Sequence, residues 1–446
     1  MDLSVVILAA GESKRLRSKR TKVLHTLAGK PIIFYAVRTA RELSSRPPVL
    51  VVGRGEAEVR SVLGDSVLYA RQEQRLGTGH AVLQARDLLL GQSEAVLVCY
   101  GDMPLLKLET LRELVRVFDE ARPVMTMLTA ISEDSMGFGH VVRSPGGRVL
   151  KVVEEADATP EQLAIKELNC GVYCFNSEWL WENLPRLPMS AKGEYYLTDM
   201  VALATSQRLP IEPITTSDIE EVLGINQRVQ LARAEAIMRR RINESLMLNG
   251  VTMLDPLTTY ADYGVQVEAD TTILPNTCLW GEIEIGPDCM IGPNTVLRDC
   301  RVGAGCTIES SFIEGAVIED GCSIGPFARI RPGTVLEEGV HIGSFGEVKN
   351  ATMGRGVRMG HFSYVGDAQV GEGVNIGAGA VTCNYDGRQK HRTEIGEGAF
   401  IGSGSMLVAP LHIGAGAVIG AGAVVTHDVP AGEVVYGVPA RPHGRR

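Results

Sequence analysis

The chain carries two different hydrophobic rhythms. In its first half, short aliphatic runs alternate with longer stretches of helical periodicity. Leu3-Ser4-Val5-Val6-Ile7-Leu8, Val49-Leu50-Val51-Val52 and Ala95-Val96-Leu97-Val98-Cys99 read as buried strands, and Pro31 to Leu43 and Gly77 to Leu90 as helices. Apolar strands separated by helices predict a mainly parallel sheet with helices packed on both sides. In such a sheet ligands bind beyond the C-terminal strand ends, so the residues just after each strand matter most. Leu231, Ala234, Met238, Ile242 and Leu246 then recur at three- and four-residue spacing. They predict a connecting helix over 226–248, with Arg239-Arg240-Arg241 on its solvated side.

Beyond that helix the period becomes six. Ile318, Ile324, Ile330, Leu336, Ile342 and Val348 form one series; Ile395, Ile401, Leu407, Ile413, Ile419 and Val425 form another. Six does not match 3.6 but is compatible with strand alternation. A sustained hexad repeat marks a parallel β-helix, each hexad forming one side of a coil. Three hexads make a triangular coil of about 18 residues, so 255–430 predict about ten coils and a prism about 48 Å long. The glycines follow this division: of 50, 15 precede residue 224, and in the repeat they are expected at corners with unusual backbone angles. The predicted organisation is therefore 1–225 as an α/β domain, 226–248 as a linker helix and 249–446 as a hexapeptide-repeat β-helix.

Composition narrows the function classes. With 446 residues, 45% hydrophobic and 22% charged, the chain is an ordinary globular protein of two or three domains. A net charge of -9 argues against a nucleic-acid or anionic-membrane binder. No apolar run approaches the roughly 18–20 residues of a membrane span. The start, Met1-Asp2-Leu3-Ser4, has no basic n-region. Nine cysteines without a CxxC pair point to a reducing compartment, hence the cytoplasm. Cys289, Cys300, Cys306 and Cys322 each precede an aliphatic by two residues, which predicts core positions rather than metal ligands; Cys99, Cys170 and Cys174 read as strand residues.

The candidate chemistry lies at strand ends and register breaks. After the first strand come Gly11-Glu12-Ser13-Lys14-Arg15, then Arg17, Lys19, Arg20 and Lys22. This is a phosphate clamp or a solvated basic loop; it matches neither the P-loop nor GxGxxG. Asp102, in Tyr100-Gly101-Asp102-Met103-Pro104, is placed to hold Mg²⁺ or to cap a turn. Gly77-Thr78-Gly79-His80 opens a helix whose N–H groups can meet a base or phosphate, or simply turn the chain. In the repeat, Cys383 to Glu394 is a polar excursion, and solenoid loops cluster on the binding face. His361 is a candidate general base or a structural histidine. Arg331 and Lys349, one coil apart, suit a phosphate or serve solubility.

In order along the chain stand Leu8-Ala9-Ala10-Gly11…Arg15, Lys22-Val23-Leu24-His25, Leu76-Gly77-Thr78-Gly79-His80-Ala81, Tyr100-Gly101-Asp102-Met103-Pro104-Leu105, Gly193-Glu194-Tyr195-Tyr196-Leu197-Thr198-Asp199, and Asn375-Ile376-Gly377-Ala378-Gly379…Cys383-Asn384-Tyr385-Asp386-Gly387. Together with the repeat, this set resembles the bacterial bifunctional N-acetylglucosamine-1-phosphate uridyltransferase / glucosamine-1-phosphate N-acetyltransferase family over nearly the whole length. The resemblance implies a Rossmann-like nucleotidyltransferase domain joined by a long helix to a left-handed parallel β-helix. It implies acetylation of glucosamine 1-phosphate by acetyl-CoA, then transfer of UMP from UTP to N-acetylglucosamine 1-phosphate, with pyrophosphate released. The product feeds peptidoglycan and lipopolysaccharide synthesis, and the family is homotrimeric with acetyltransfer sites at subunit boundaries.

By the same resemblance Asp102 and Asn226 match Mg²⁺ ligands, and Arg15 and Lys22 match the groups that hold the triphosphate and steady the α-phosphorus. Leu8, Ala9, Ala10, Gly11, Tyr100 and Gly101 belong to the nucleotide site. Gln72, Gly77 and Thr78 match uracil and ribose contacts; Gly139, Glu154 and Asn169 match amino-sugar contacts. His361 matches the base that takes the amine proton, with Glu347 as its orienting partner. Arg331, Lys349, Tyr364, Asn375 and Asn384 match sugar-phosphate contacts; Ala378, Asn384, Tyr385, Ser403 and Ala421 match the acetyl-CoA groove. The sequence departs from the family at Ser13 (glycine there), Lys14 (threonine), Thr21 (proline) and Ala156 (commonly lysine). Ser13 puts a side chain where backbone would lie against phosphate, and Lys14 adds charge. Tyr436-Gly437-Val438-Pro439-Ala440-Arg441 resembles other hexapeptide acyltransferases, so the family's late CoA-contacting arginine has no placed counterpart. The rival readings are a single-activity sugar-1-phosphate nucleotidyltransferase or acetyltransferase with altered nucleotide preference, and a non-catalytic scaffold subunit, which would have no need of Lys22 or Asp102.

Overall fold

A computed structural model describes residues 1–11 and 14–445; Glu12, Ser13 and Arg446 lie outside the described residues, as do the side chains of Lys14 and Arg445. The chain divides into two compact units, Met1–Met238 and Arg239–Arg446.

The first unit is built on one sheet, in the spatial order Ile211–Thr216, Met125–Ile131, Glu167–Asn176, Ala95–Tyr100, Leu3–Leu8, Val49–Val52, Leu68–Arg71. Leu3–Leu8 pairs in parallel with both Val49–Val52 and Ala95–Tyr100. Its alternate residues feed two cores. Val6 and Leu8 pack with Ala81, Val82, Leu180 and Met200 on one face; Val5 and Ile7 pack with Ile33, Val37, Leu114 and Phe118 on the other. That double burial is why the strand reads as a continuous apolar run. The sheet is not wholly parallel. Glu167–Asn176 runs antiparallel to both neighbours, and the hairpin Gly139–Arg143/Val149–Val153 adds to its start. The hairpin turn closes through the Ser144 N–H to Arg148 carbonyl bond, at 2.8 Å. The register of Glu167–Asn176 shifts between Asn169 and Tyr173, around Gly171 at φ +76°. A β-carbon at Gly171 would lie 2.6 Å from the Tyr100 ring.

The 21-residue helix Arg228–Leu248 carries the chain from one unit to the next. In the first unit Glu235 accepts from the Ala28 N–H at 2.9 Å. In the second, Asn243 Nδ2 donates to the Pro256 and Thr259 carbonyls. The arginine triplet is not uniformly solvated: Arg240 is exposed, but Arg239 is half-buried, its guanidinium 4.1 Å from the Tyr260 ring centre, and Arg241 is half-buried too. A long arginine stem covers apolar surface while its head stays wet, which the charge run alone does not reveal. Among the described residues, no helix is long and apolar enough to cross a membrane.

The second unit is a parallel β-helix. One face stacks Met253, Ile273, Ile291, Ile308, Ile324, Ile342, Met359, Ile376, Ile401, Ile419 and Val435 in register. From Ile273 to Ile376 successive partners are 16 to 18 residues apart; between Ile376 and Ile401 the step is 25. The long step holds the excursion. Eleven stacked strands on this face, at about 4.8 Å each, match the expected prism length. The other two faces share Cys278–Ile285 and Val296–Val302, which turn a corner without interruption. Cys289, Cys300, Cys306 and Cys322 are buried in the core, as expected. The repeat's glycines serve two ends rather than one. Gly339 and Gly356 adopt φ +70° and +65°, which L-residues resist. Gly343 and Gly377 instead allow close approach of the next coil; a β-carbon there would lie 2.0 Å from the Gly360 carbonyl and 2.6 Å from the Ser403 nitrogen. The antiparallel hairpin Glu433–Gly437/Ala440–Arg445 covers the last open edge of the sheet.

Each inward aliphatic closes its coil by packing on the ones above and below. Ile324→Ala, at a fully enclosed position, is expected to destabilise the second unit by about 2–5 kcal/mol. Urea unfolding followed by far-ultraviolet circular dichroism measures this.

Candidate active sites

In the first unit a cavity of about 500 Å³ opens at the C-terminal ends of Leu3–Leu8 and Ala95–Tyr100. Leu8, Ala9, Ala10, Gly11, Lys22, Gln72, Gly77, Thr78, Tyr100, Asp102, Gly139, Glu154, Asn169 and Asn226 all line it. Two expected residues do not. Gly101 packs beneath, where a β-carbon would meet Ile33 at 2.6 Å, and exposed Arg15 lies in the short turn Lys14–Leu16. Ser13 and the Lys14 side chain, where the loop departs from the family pattern, fall outside the described residues.

The cavity floor is set by three segments far apart in sequence. The Ile225 N–H donates to the Asp102 carbonyl at 2.9 Å, which pins the 224–226 loop beside the Asp102 turn. Lys22 Nζ forms an ion pair with Asp102 Oδ2 and donates to Asn226 Oδ1 at 2.7 Å. The Lys22 side chain is only 8% exposed, so its charge is held by these oxygens rather than by water. Among the described residues no cluster of three or more His, Cys, Asp or Glu side chains forms a dedicated metal cage. Two hard oxygen donors that converge on one point are nevertheless the protein contribution Mg²⁺ ordinarily takes, the rest coming from substrate phosphates and water. The residues present fit that ion.

The walls of the cavity are cross-braced. Gly77 adopts φ +95°, and a β-carbon there would lie 2.5 Å from the Tyr195 carbonyl. Gly79 donates to that carbonyl at 2.8 Å, Tyr195 to the Leu76 carbonyl at 2.7 Å, and Leu197 to Thr78 Oγ1 at 3.0 Å. The 76–79 and 195–197 motifs are therefore stapled together. Gln72 donates its amide nitrogen to the Gly77 carbonyl and to His80, each at 3.1 Å, which leaves Oε1 as its acceptor. Tyr173 donates to Asn169 Oδ1 at 2.9 Å, which leaves the Asn169 amide nitrogen as its donor. Burial pushes the Glu154 carboxyl up, while Thr198, donating to Oε1 at 2.8 Å, opposes the shift. Burial also raises the Tyr100 phenol. Sequence reasoning assigned no role to Arg75, Phe138, Gly171, Glu194, Tyr196 or Thr198, which line the cavity as well. The 193–199 motif was the available signal; the Gly171 bulge had none.

In the second unit the β-helix arranges the predicted residues along one corner and the two faces that flank it. Gly379 donates to the Phe362 carbonyl, Gly404 to that of Ala378 and Gly422 to that of Ser403, at 2.6, 2.7 and 2.8 Å. His361, Ala378, Ser403 and Ala421 thus occupy the same corner on four successive coils. Asn375 lies on the face before this corner; Glu347 and Tyr364, register neighbours, lie on the face after it. His361 is exposed at the edge. Glu347 accepts from Arg331 Nη1 at 2.9 Å, so the residue expected to orient His361 is engaged by a guanidinium.

At the far side of that face, Asp367 accepts from Asn350 Nδ2 at 2.6 Å and from Asn384 Nδ2 at 2.5 Å; Asn384 also reaches the Tyr364 hydroxyl at 3.5 Å. The excursion turns on Asp386. Its carboxylate accepts from the Arg388 and Gln389 N–H groups at 2.8 Å and from His391 Nε2 at 2.7 Å, and these donors hold its pKa down to about 2. The loop returns Lys390 beside Lys349, and the neighbouring charge lowers the Lys349 pKa. Lys390 was not singled out from the sequence, although its positive charge in the excursion was visible. Exposed Tyr385 bridges to Lys390 at the base of the 386–389 turn. Cys383 is half-buried and its thiol is pushed up by burial, away from the thiolate a nucleophile needs.

Comparison with known proteins matches a different family model within each unit. Residues 5–167 match the model of the MobA-like NTP transferase domain. Residues 315–350 and 392–427 match the bacterial transferase hexapeptide repeat. The chain is 44% identical to the bifunctional protein GlmU of Brevibacillus brevis, over 96% of this chain and 93% of that one. It is 45% identical to the GlmU proteins of Heliobacterium modesticaldum and Geotalea uraniireducens, over 96% of this chain and 94% and 95% of theirs. At this identity across both units, the chain belongs to the family of bifunctional GlmU proteins.

Proposed function

We propose that the two sites make UDP-N-acetylglucosamine in two steps. The corner of the β-helix acetylates glucosamine 1-phosphate, and the cavity of the first unit joins N-acetylglucosamine 1-phosphate to UTP. The observation that carries the reading is the Lys22 ammonium held between Asp102 and Asn226 on the floor of a cavity large enough for a sugar nucleotide.

In uridyl transfer, a phosphate oxygen of the sugar attacks the α-phosphorus of UTP. The new P–O bond forms as the bond to pyrophosphate breaks, so the protein's task is positioning and charge stabilisation. The Gln72 carbonyl oxygen accepts from the uracil N–H, and the Gly77 and Thr78 backbone closes on the base and ribose. The backbone from Leu8 to Gly11 follows the phosphates. Lys22 spreads charge from the α-phosphorus, with Arg15 reaching the triphosphate from outside the cavity. Glu154 accepts from a sugar hydroxyl; Asn169 donates to the sugar from its amide nitrogen, next to Gly139. Asp102 and Asn226 would hold Mg²⁺, which when bound neutralises phosphate charge.

In acetyl transfer, His361 takes a proton from the substrate amine. The freed lone pair attacks the thioester carbonyl; the C–N bond forms, the C–S bond breaks, and the CoA thiolate leaves and is protonated. Arg331, Lys349 and Lys390 gather at the sugar phosphate, with Tyr364, Asn375 and Asn384 along the sugar. Ala378, Ser403 and Ala421 form a shallow track parallel to the helix axis, suited to the extended pantetheine arm, and Tyr385 closes on the cofactor. An edge this open does not enclose a substrate by itself. Phe345 and Phe362, 63% and 62% exposed near His361, fit burial by further copies of the chain in a homotrimer. Small-molecule substrates and a reducing, cytoplasmic setting complete the reading.

Asp102→Ala is expected to cut pyrophosphate release from UTP and N-acetylglucosamine 1-phosphate by at least about 100-fold. It leaves CoA release from acetyl-CoA and glucosamine 1-phosphate intact. His361→Ala is expected to do the reverse, by about 100-fold or more. Loss of both activities in either variant would sink the assignment of separate sites.

Glu154 gives a pH signature. Its raised pKa means that the folded chain favours the protonated form, so its contribution to stability is present at low pH and is lost as pH rises through that value. Sugar binding needs the ionised acceptor. The KM for N-acetylglucosamine 1-phosphate is therefore expected to climb as pH falls into the range just above an ordinary carboxylate. Glu154→Gln should flatten that climb in steady-state profiles.

A further inference from the structure

A second cleft of about 410 Å³ adjoins the nucleotide cavity and shares Ala9, Ala10, Gly11, Lys22 and Arg75 with it. Arg17, Lys19, Arg20, Lys22, Arg54 and Arg75 line this cleft. Like charges this dense repel one another, and the arm from Arg17 to Lys22 needs an anchor to stay against the sheet.

That anchor is Thr21. Its backbone N–H and its hydroxyl both donate to Glu58 Oε2, at 3.3 and 2.7 Å. Glu58 belongs to the helix Glu56–Leu63 and comes from 37 positions further along the chain. The two Thr21 bonds, with Arg20 nearby, hold its carboxyl below the usual range. Gly55, just before the helix, leaves room for the hydroxyl; a β-carbon there would sit 2.4 Å from Thr21 Oγ1. On the other side of Thr21, Leu24 donates to the Thr21 carbonyl at 3.0 Å and His25 to the Lys22 carbonyl at 3.2 Å. Fixing Thr21 therefore fixes the turn that carries Lys22.

We propose that Glu58 is a positioning residue for uridyl transfer: by accepting both Thr21 donors it holds the Lys22–Leu24 turn where Lys22 meets Asp102 and Asn226. This rests on the role given to Lys22 above. Thr21 has φ -55°, within the range a proline ring imposes. A proline would restrict the backbone covalently but has neither donor to offer Glu58. The hydrogen-bonded pin does here what a ring does by covalent restriction, so its loss and the ring's presence must be non-additive.

The test is a double-mutant cycle on the full chain, with pyrophosphate release, CoA release and amide hydrogen exchange measured on each preparation. Glu58→Ala is expected to lower kcat/KM for uridyl transfer about five- to tenfold, the modest range of a solvent-exposed charge-assisted hydrogen bond, with CoA release unchanged. It should speed exchange at the Leu24 and His25 amides. Glu58→Gln, whose carboxamide oxygen still accepts, should recover most of the loss. In the Thr21→Pro background, Glu58→Ala should cost nothing further. Wild-type exchange and rates in Glu58→Ala would overturn the proposal, as would an equal loss in both backgrounds. A wild-type chain without pyrophosphate release would overturn the role of Lys22 instead, and the exchange data would still decide whether Glu58 pins the turn.

Discussion

One ammonium group, held by a carboxylate and an amide oxygen, organises the first unit. Lys22 leaves the basic arm, Asp102 follows a central strand and Asn226 precedes the long helix, and the three meet at one nitrogen. A charge this enclosed is stable only if its partners stay in place. The backbone bond from Ile225 to Asp102 keeps them there, and the sheet beneath supplies rigid strand ends from which to project. On the proposed reading, the same oxygens that balance the lysine would hold a hard divalent cation. Charge is thus already gathered where a transferring phosphoryl group would place its own.

The second unit solves a different problem by repetition. Each coil adds one strand to a face and a short turn to the corner that follows it, as 377–380 do between Asn375–Ile376 and Val381–Cys383. A ligand several coils long can therefore be met by small residues at equal spacing, as Ala378, Ser403 and Ala421 are. The Asn384–Arg392 excursion is the one long interruption of the repeat after Ile376, and the Asp386 turn keeps it ordered. Its return sets a third cation beside Arg331 and Lys349. Regular coils set the spacing along the corner, and the departure from regularity brings Lys390 beside Lys349.

Much of this was legible in the residues. Val5, Val6 and Ile7 announce a strand buried on both faces, and no helical reading accommodates aliphatics every six positions. The cavity lining was legible through short motifs in a fixed order, because each sits directly after a strand or opens a helix. What escaped were features made by long-range pairing. The Gly171 bulge depends on how Glu167–Asn176 registers against two neighbours, which no local pattern encodes. Gly101 stands inside a motif yet packs under the site, since its neighbours alone face the cavity. Arg15 lies outside the cavity because its turn buries Leu16 and leaves the arginine exposed. Glu58 was silent because its partner, Thr21, is distant in sequence and the bond joins one exposed carboxylate to one threonine. The corner glycines were read as a single class. The structure separates those that need a positive φ from those that need a bare surface against the next coil.

The central claim is that Lys22, Asp102 and Asn226 form the uridyl-transfer centre. The most direct measurement is calorimetric binding of UTP to the wild-type chain and to Asp102→Asn, each with and without Mg²⁺. The account predicts that Mg²⁺ tightens UTP binding to the wild type, and that the substitution removes most of that gain. An equal dependence on Mg²⁺ in both chains would contradict it.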